Sequence, residues 1–137
     1  PQFIQKIQKG EILNNDRVKL NIQGNGKETR AFCYVDDVVD GILTMYQNGD
    51  HRKVYHIGID HEISMLEIAD TVGNAMNIKL DIVPGDAAVG GTPRRCPDIS
   101  RMRNIGYEPR FDIYSGIQKT VDWYKSNQMI KLDNPLS

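Results

Sequence analysis

The sequence is organised around residues 24–43, which read GNGKETRAFCYVDDVVDGIL. The opening Gly24-Asn25-Gly26 is typical of a tight turn, and the aromatic and β-branched residues after Arg30 favour extended chain. From Val38 onward, apolar residues recur every three or four positions, which predicts an amphipathic helix that ends near Gly49. The apolar positions of this helix are Val38, Val39, Ile42, Leu43 and Tyr46.

Asp36 and Asp37 stand immediately before this apolar pattern. A carboxylate pair can serve as general acid and base or bind a metal, but at a helix start it more often caps the helix and interacts with its dipole. We therefore assign Asp36 and Asp37 a structural role.

The flanking segments predict alternating helices and short strands. Ser64 and Glu67 form a capping box that starts a helix over 65–76, with Ile63 and Ile68 as its hydrophobic staple. Further predicted helices cover the start of the chain from Pro1 to its stop at Gly10, residues 98–105 and the segment that Asp112 caps. Predicted strands cover 18–22, 54–58 and 79–83. Residues 84–97 are rich in Pro and Gly and predict a long loop. We expect one domain over 1–137 of the α/β class (mixed α+β), with residues 128–137 as a frayed tail.

Composition excludes several classes of protein. The chain has 137 residues, 39% of them apolar, and its 17 basic and 18 acidic residues give a net charge of −1. Such values are typical of a globular domain and argue against a nucleic-acid-binding partner. Cys33 and Cys96 form no Cys-x-x-Cys pair, and no apolar run is long enough for a membrane span, so we expect reduced thiols in a cytoplasmic protein with no membrane partner.

Two groups of arginines are candidates for binding an anion. Arg30 follows the glycine turn, and Arg94-Arg95 lies at the end of the long loop. A guanidinium pairs with phosphate oxygens through a planar fork of donors, so two such groups suit a diphosphate. The alternative for each is an arginine that only solvates the surface.

Other chemistry has little support in the sequence. His51, His56 and His61 are spaced by five residues, which does not place them on one helical face, so we predict no metal site. The tyrosines alternate with aliphatic residues as packing residues do, and no pair of nucleophile and base stands out. We therefore assign no catalytic residue.

An ordered series of motifs resembles the C-terminal part of NAD-dependent nucleotide-sugar epimerases and dehydratases, which are extended short-chain dehydrogenases. The series includes the turn-and-helix stretch quoted above, Tyr55-x-Ile57-Gly58, Ser64-x-x-Glu67 and Arg95-x-Pro97-Asp98. It continues to Trp123-Tyr124 and thus covers nearly the whole chain. The resemblance implies a small substrate-binding domain of that fold.

The resemblance also implies roles for particular residues. Arg30 and Arg95 would bind the diphosphate of a nucleotide sugar, with Arg94 as a second choice. The backbone of Asn21, Ile22 and Gln23 would contact the nucleobase. The sequence departs from the family at Gln23, where an aromatic residue is usual, and at His56, where Asn is common.

In this family an N-terminal Rossmann half binds NAD and carries a catalytic Tyr-x-x-x-Lys pair. The present chain has neither a Gly-rich nucleotide turn of that kind nor a Tyr-x-x-x-Lys. We therefore expect a fragment that recognises a nucleotide-diphosphate sugar, is inactive alone and binds no cofactor itself, with the Rossmann half as partner. The alternatives are a free-standing nucleotide-binding or regulatory module and a purely structural domain.

Overall fold

The computed structural model describes residues 1–11, 13, 17–87 and 89–132. Helices and short strands alternate along this part of the chain, which confirms the mixed α/β class. The elements are α1 (Gln2–Gln8), β1 (Arg17–Asn21), β2 (Thr29–Arg30), α2 (Val35–Asn48), β3 (Ile63–Ser64), α3 (Met65–Met76), β4 (Lys79–Val83), β5 (Arg94–Arg95), α4 (Ser100–Asn104) and α5 (Ile113–Leu132).

The strands form two small sheets. β1 and β4 pair in parallel, with Val18 opposite Leu80. In the second sheet β2 is central, antiparallel to β3 and parallel to β5. The predicted long loop thus contains the short strand β5, which follows from pairing with β2 rather than from local sequence.

The larger core lies between the β1–β4 sheet and helices α1, α3 and α5. Its buried members include Ile4, Leu20, Val72 and Val121. The predicted capping box is confirmed: Ser64 Oγ accepts a hydrogen bond from Glu67 N at 3.2 Å, and Ser64 N donates to the Glu67 carboxylate at 2.9 Å. Both predicted bounds of α3 are also correct.

A smaller core joins α2 to α4. Ile99, Met102 and Tyr107 are buried there. The Tyr107 hydroxyl donates to the carbonyl of Gly58 at 3.0 Å, which ties residues 54–58 to this core. A Cβ at Gly41 would lie 2.5 Å from Ile57 Cγ2, so α2 approaches that segment closely because it has a glycine there.

Two expectations are corrected. Residues 54–58 form no strand, because no other segment of the described chain pairs with them. Four of the five predicted apolar positions of α2, Val39, Ile42, Leu43 and Tyr46, are exposed, since α2 packs through Gly41 on the opposite side. Asp36 and Asp37 do not cap α2: its N-cap is Tyr34, and both carboxylates lie in the first turn.

At the C-terminal end, Asp112 caps α5 as predicted, because its Oδ1 accepts from Ser115 N at 2.7 Å. The helix extends to Leu132. Of the tail expected to fray, residues 133–137 lie outside the described residues.

Asp37 has a structural role different from the one predicted. Its side chain is 0% exposed, and its two oxygens accept from the backbone N–H groups of Arg110 at 2.9 Å and Phe111 at 3.1 Å. The carboxylate therefore joins the start of α2 to the segment before α5. Buried polar groups of this kind stabilise a fold only while each donor and acceptor has a partner.

Replacing Asp37 with Ala should lower the free energy of unfolding by about 2 to 4 kcal/mol, because two backbone donors lose their acceptor. Asp36→Ala is the matched control. Asp36 is exposed in the same helical turn, so only its interaction with the helix dipole is lost, at a cost below about 1 kcal/mol. Urea denaturation of both variants measures the difference, and equal losses would contradict the role given to Asp37.

Candidate functional site

The parallel pairing of β2 with β5 sets the geometry of the arginines. Arg30 lies opposite Arg95, and Thr29 lies opposite Arg94. Side chains alternate between the two faces of a strand, and residues directly opposite share a face. Arg30 and Arg95 are therefore brought together on one face, whereas Arg94 lies on the other with Thr29.

The face with Arg30 and Arg95 borders a cleft of about 1170 Å³. Helix α1, the end of β1 and the loop before β5 form its other walls. Its charged side chains are four cations and one carboxylate, namely Lys6, Lys9, Arg30, Arg95 and Glu28. A concave surface with this excess of positive charge attracts a multiply charged anion.

Thr92 positions both arginines of the cleft. Arg30 Nη2 donates to the Thr92 carbonyl oxygen and Arg95 Nε donates to Thr92 Oγ1, each at 2.8 Å. Arg30 Nη1 donates to the carbonyl oxygen of Thr29 at 2.7 Å. These contacts use some of the five N–H donors of each guanidinium and leave others for a ligand.

On the opposite face, Glu62 joins β2 to β5. Its carboxylate accepts from Arg94 Nε at 2.9 and 3.0 Å and from Thr29 Oγ1 at 2.8 Å. The hydrogen bonds from Arg94 and Thr29 hold the pKa of the Glu62 carboxyl below its ordinary value of 4.5. Arg94 is thus engaged by a carboxylate of its own chain and is not part of the cleft wall.

Of the three residues expected near a base, Ile22 and Gln23 line the cleft. The N–H of Ile22 donates to Val83 O at 3.0 Å, and the carbonyl of Asn21 accepts from Lys6 Nζ at 3.1 Å. Those two backbone groups are therefore used within the protein. The exposed Gln23 follows at the rim.

Glu28 is a cleft residue that sequence reasoning missed. Its Oε2 is buried and has no hydrogen-bond partner among the described residues. Gly24 has a φ of +67°, which would strain any residue with a side chain, and a Cβ there would also displace the Glu28 carboxylate, whose Oε1 would lie 2.0 Å away. Lys6, Lys9 and Thr92 were missed as well. The i, i+3 spacing of the two lysines on one helix was a usable signal, whereas the role of Thr92 depends on tertiary structure.

The part of the chain that the structure describes offers no other candidate for reactive chemistry. Among the described residues, no three His, Cys, Asp or Glu side chains are grouped as metal ligands. Burial raises the pKa of the Cys33 thiol, and burial followed by the charge of Glu62 raises that of Cys96, so both thiols are protonated at neutral pH. No helix in the described part of the chain is both long and apolar enough to cross a membrane.

Comparison with known proteins identifies the group to which this fold is similar. Residues 1–58 match the NAD dependent epimerase/dehydratase family. The chain is 32% identical over 116 residues to UDP-glucuronic acid decarboxylase 3 of Arabidopsis thaliana, covering 84% of this chain and 32% of that protein. It is 31% identical over 130 residues to the dTDP-glucose 4,6-dehydratase of Streptomyces antibioticus, covering 93% and 39%.

A solved structure gives the same result for the fold. The UDP-glucose 4-epimerase of Thermotoga maritima, determined with UDP-glucose, superposes with a TM-score of 0.81 at 22% identity over 93% of this chain and 39% of that one. In sequence the chain is therefore similar to NAD dependent epimerases and dehydratases, and in fold it is similar to this solved epimerase. The chain spans between about a third and two fifths of the length of these relatives.

The ion pair of Glu62 should make stability depend on pH. The pKa of Glu62 is lower in the folded state than in the unfolded state, so the ion pair stabilises the fold at pH values above the unfolded-state pKa. This stabilisation is lost as the pH falls through the folded-state pKa. Glu62→Gln should therefore lower the urea midpoint near neutral pH, and the gap to the unsubstituted chain should be narrower at an acidic pH below 4.5. A gap that is the same at both pH values would contradict this role.

Proposed function

We propose that this chain is the substrate-binding part of an NAD-dependent nucleotide-sugar epimerase, dehydratase or decarboxylase, and that its cleft holds the diphosphate of the nucleotide sugar between Arg30 and Arg95. One observation carries the proposal. The β2–β5 register places these two guanidiniums side by side on the wall of a positively charged cleft.

The chemistry of a diphosphate fits this wall. Each phosphate presents oxygens that a guanidinium can bind in parallel pairs of hydrogen bonds, and a fixed fork binds them better than a lysine does. The hydrogen bonds to Thr92 hold both guanidiniums in place before a ligand binds. Less side-chain conformational entropy is therefore lost when the ligand binds. Lys6 and Lys9 add positive charge from the opposite wall.

The remaining parts of the ligand extend from this point. The cleft wall at Ile22 and Gln23 is next to the turn that carries Gly24, and the base is proposed to lie there. Gln23 offers an amide for hydrogen bonding instead of an aromatic ring for stacking. The sugar would point away from the base, toward the part of the enzyme that carries out the reaction.

Hydride and proton transfer are proposed to belong to an N-terminal Rossmann half outside these 137 residues. The sequence has no Gly-rich dinucleotide turn and no Tyr-x-x-x-Lys pair. The family match names NAD dependence, and the relatives are more than twice as long as this chain. NAD would accordingly bind to the other half, and this chain would position the sugar against it.

Calorimetric titration of the 137-residue chain with UDP, dTDP and GDP tests the proposal. One of these nucleotides should bind, and Arg30→Ala and Arg95→Ala should each weaken its affinity by about 10- to 100-fold, because a charge-assisted contact contributes about 1.5 to 3 kcal/mol. Arg94→Ala is the matched control, since this neighbouring arginine lies on the opposite face.

The control should change affinity less than about threefold, because an exposed ion pair contributes little. Equal binding by the unsubstituted chain and the Arg30 and Arg95 variants would contradict the proposal. So would a loss in the Arg94 variant as large as in the other two.

A further inference from the structure

Glu28 holds the one carboxylate of a cleft that is otherwise lined by cations. Its backbone is fixed, because its carbonyl oxygen accepts from the N–H of Met65, at the start of α3, at 3.0 Å. Its side chain lies against Gly24, and its Oε2 is buried with no hydrogen-bond partner among the described residues. A buried carboxylate oxygen without a donor is costly, so Glu28 has a hydrogen-bonding capacity that a ligand can satisfy.

The cations of the cleft do not neutralise this carboxylate. Among the described residues, none of them forms an ion pair with Glu28. Lys6 Nζ donates instead to a backbone carbonyl of β1. Arg30 and Arg95 both donate to Thr92. The guanidiniums are therefore positioned for an anion, and the carboxylate is separate from them.

Backbone donors near Glu28 are also engaged. The N–H of Gly24, against which the carboxylate lies, donates to the Asp86 carbonyl at 3.1 Å. The N–H of Thr29, the next residue in the chain, donates to the Pro93 carbonyl at 2.9 Å. Neither group can bind the carboxylate without losing its own acceptor. The missing donors are therefore expected from a ligand.

The carboxylate lies at the end of the cleft where the base is proposed to bind. Glu28 and Arg30 both line the cleft, and contact with Gly24 places the Glu28 carboxylate beside the turn that follows Ile22 and Gln23. Arg30 serves the diphosphate in the proposed function, on which this inference rests. Glu28 is thus positioned to contact the nucleoside of the same ligand.

We infer that Glu28 makes the cleft specific for a guanine nucleotide, because its carboxylate accepts hydrogen bonds from the N1–H and the 2-amino group of the base. These two donors are adjacent on one edge of guanine and point the same way, so each carboxylate oxygen accepts one of them. The last torsion of a glutamate is broad, so the carboxylate turns toward the donors at little cost. The exposed Gln23 offers an amide donor for O6 on the same edge.

Uracil and thymine do not fit this carboxylate. Each has a single ring N–H between two carbonyl oxygens. A carboxylate that accepts from this N–H with one oxygen therefore presents its other oxygen to a carbonyl, and no proton lies between the two acceptors. Such an unpaired contact in a cleft disfavours the wrong base more than the shared hydrogen bond favours it.

Calorimetric titration of the 137-residue chain with GDP, inosine diphosphate, UDP and dTDP tests the choice of base. Inosine diphosphate is GDP without the 2-amino group. GDP should bind at least about tenfold more tightly than inosine diphosphate, because one charge-assisted hydrogen bond is lost, and more tightly than UDP or dTDP. Equal affinities for GDP and inosine diphosphate, or tighter binding of UDP or dTDP, would overturn the inference.

Glu28→Gln tests the residue. An amide accepts from only one of the two guanine donors and turns its own N–H toward the other. The variant should bind GDP at least about tenfold more weakly, and its preference for GDP over inosine diphosphate should disappear. Its affinity for UDP should not fall, because an amide matches an N–H beside a carbonyl.

Asp86→Asn is the matched control for charge. Asp86 is exposed beside the same turn and does not line the cleft. This substitution removes one negative charge and should change the affinity for GDP less than about twofold. Equal losses in the two variants would overturn the inference. So would a loss in Glu28→Gln that is the same for GDP, inosine diphosphate and UDP, since the carboxylate would then bind a part of the ligand that all three share.

Two outcomes separate this inference from the proposed function. If UDP or dTDP binds best and Arg30→Ala weakens that binding, the diphosphate cleft stands and the assignment of guanine is wrong. If no nucleotide binds to a chain that unfolds cooperatively on heating, the proposed function fails and the inference fails with it.

Discussion

The site depends on one short interaction, the parallel pairing of β2 with β5. Only two residues of each strand take part, yet the pairing decides which of three arginines share a face. On the face opposite the cleft, Glu62 stabilises the pairing of the two strands because it accepts hydrogen bonds from both Thr29 and Arg94. The cleft wall and the Glu62–Arg94 ion pair therefore lie on the two opposite faces of the same pair of strands. A shift of one residue in register would exchange the two arginines, so that Arg94 would face the cleft and Arg95 would face Glu62.

Two hydrophobic cores support different parts of the molecule. The larger core of α1, α3, α5 and the β1–β4 sheet supports the cleft, whereas the smaller core supports α2 and the unpaired segment 54–58. Asp37 links the two regions, because it lies at the start of α2 and accepts from the backbone before α5. In the proposed function, the cleft above the larger core would bind the nucleotide sugar.

Local patterns predicted the fold well where a local cause determined it. The Ser64 capping box correctly predicted both the start and the type of α3, and the strand predicted at 79–83 is β4. The sequence also identified Arg30 and Arg95, which the structure brings together. It could not separate Arg94 from Arg95, since adjacent residues differ only once a partner strand defines the two faces. It predicted a strand at 54–58, although no described segment pairs with these residues, because alternation in sequence does not show which other segment lies beside them.

The most direct measurement is a crystal structure of the 137-residue chain with the nucleoside diphosphate that binds best. The account predicts phosphate oxygens within about 2.7 to 2.9 Å of guanidinium nitrogens of both Arg30 and Arg95. It also predicts that Arg94 remains bound to Glu62. A diphosphate bound to Arg94, or one bound away from the β2–β5 face, would contradict the account.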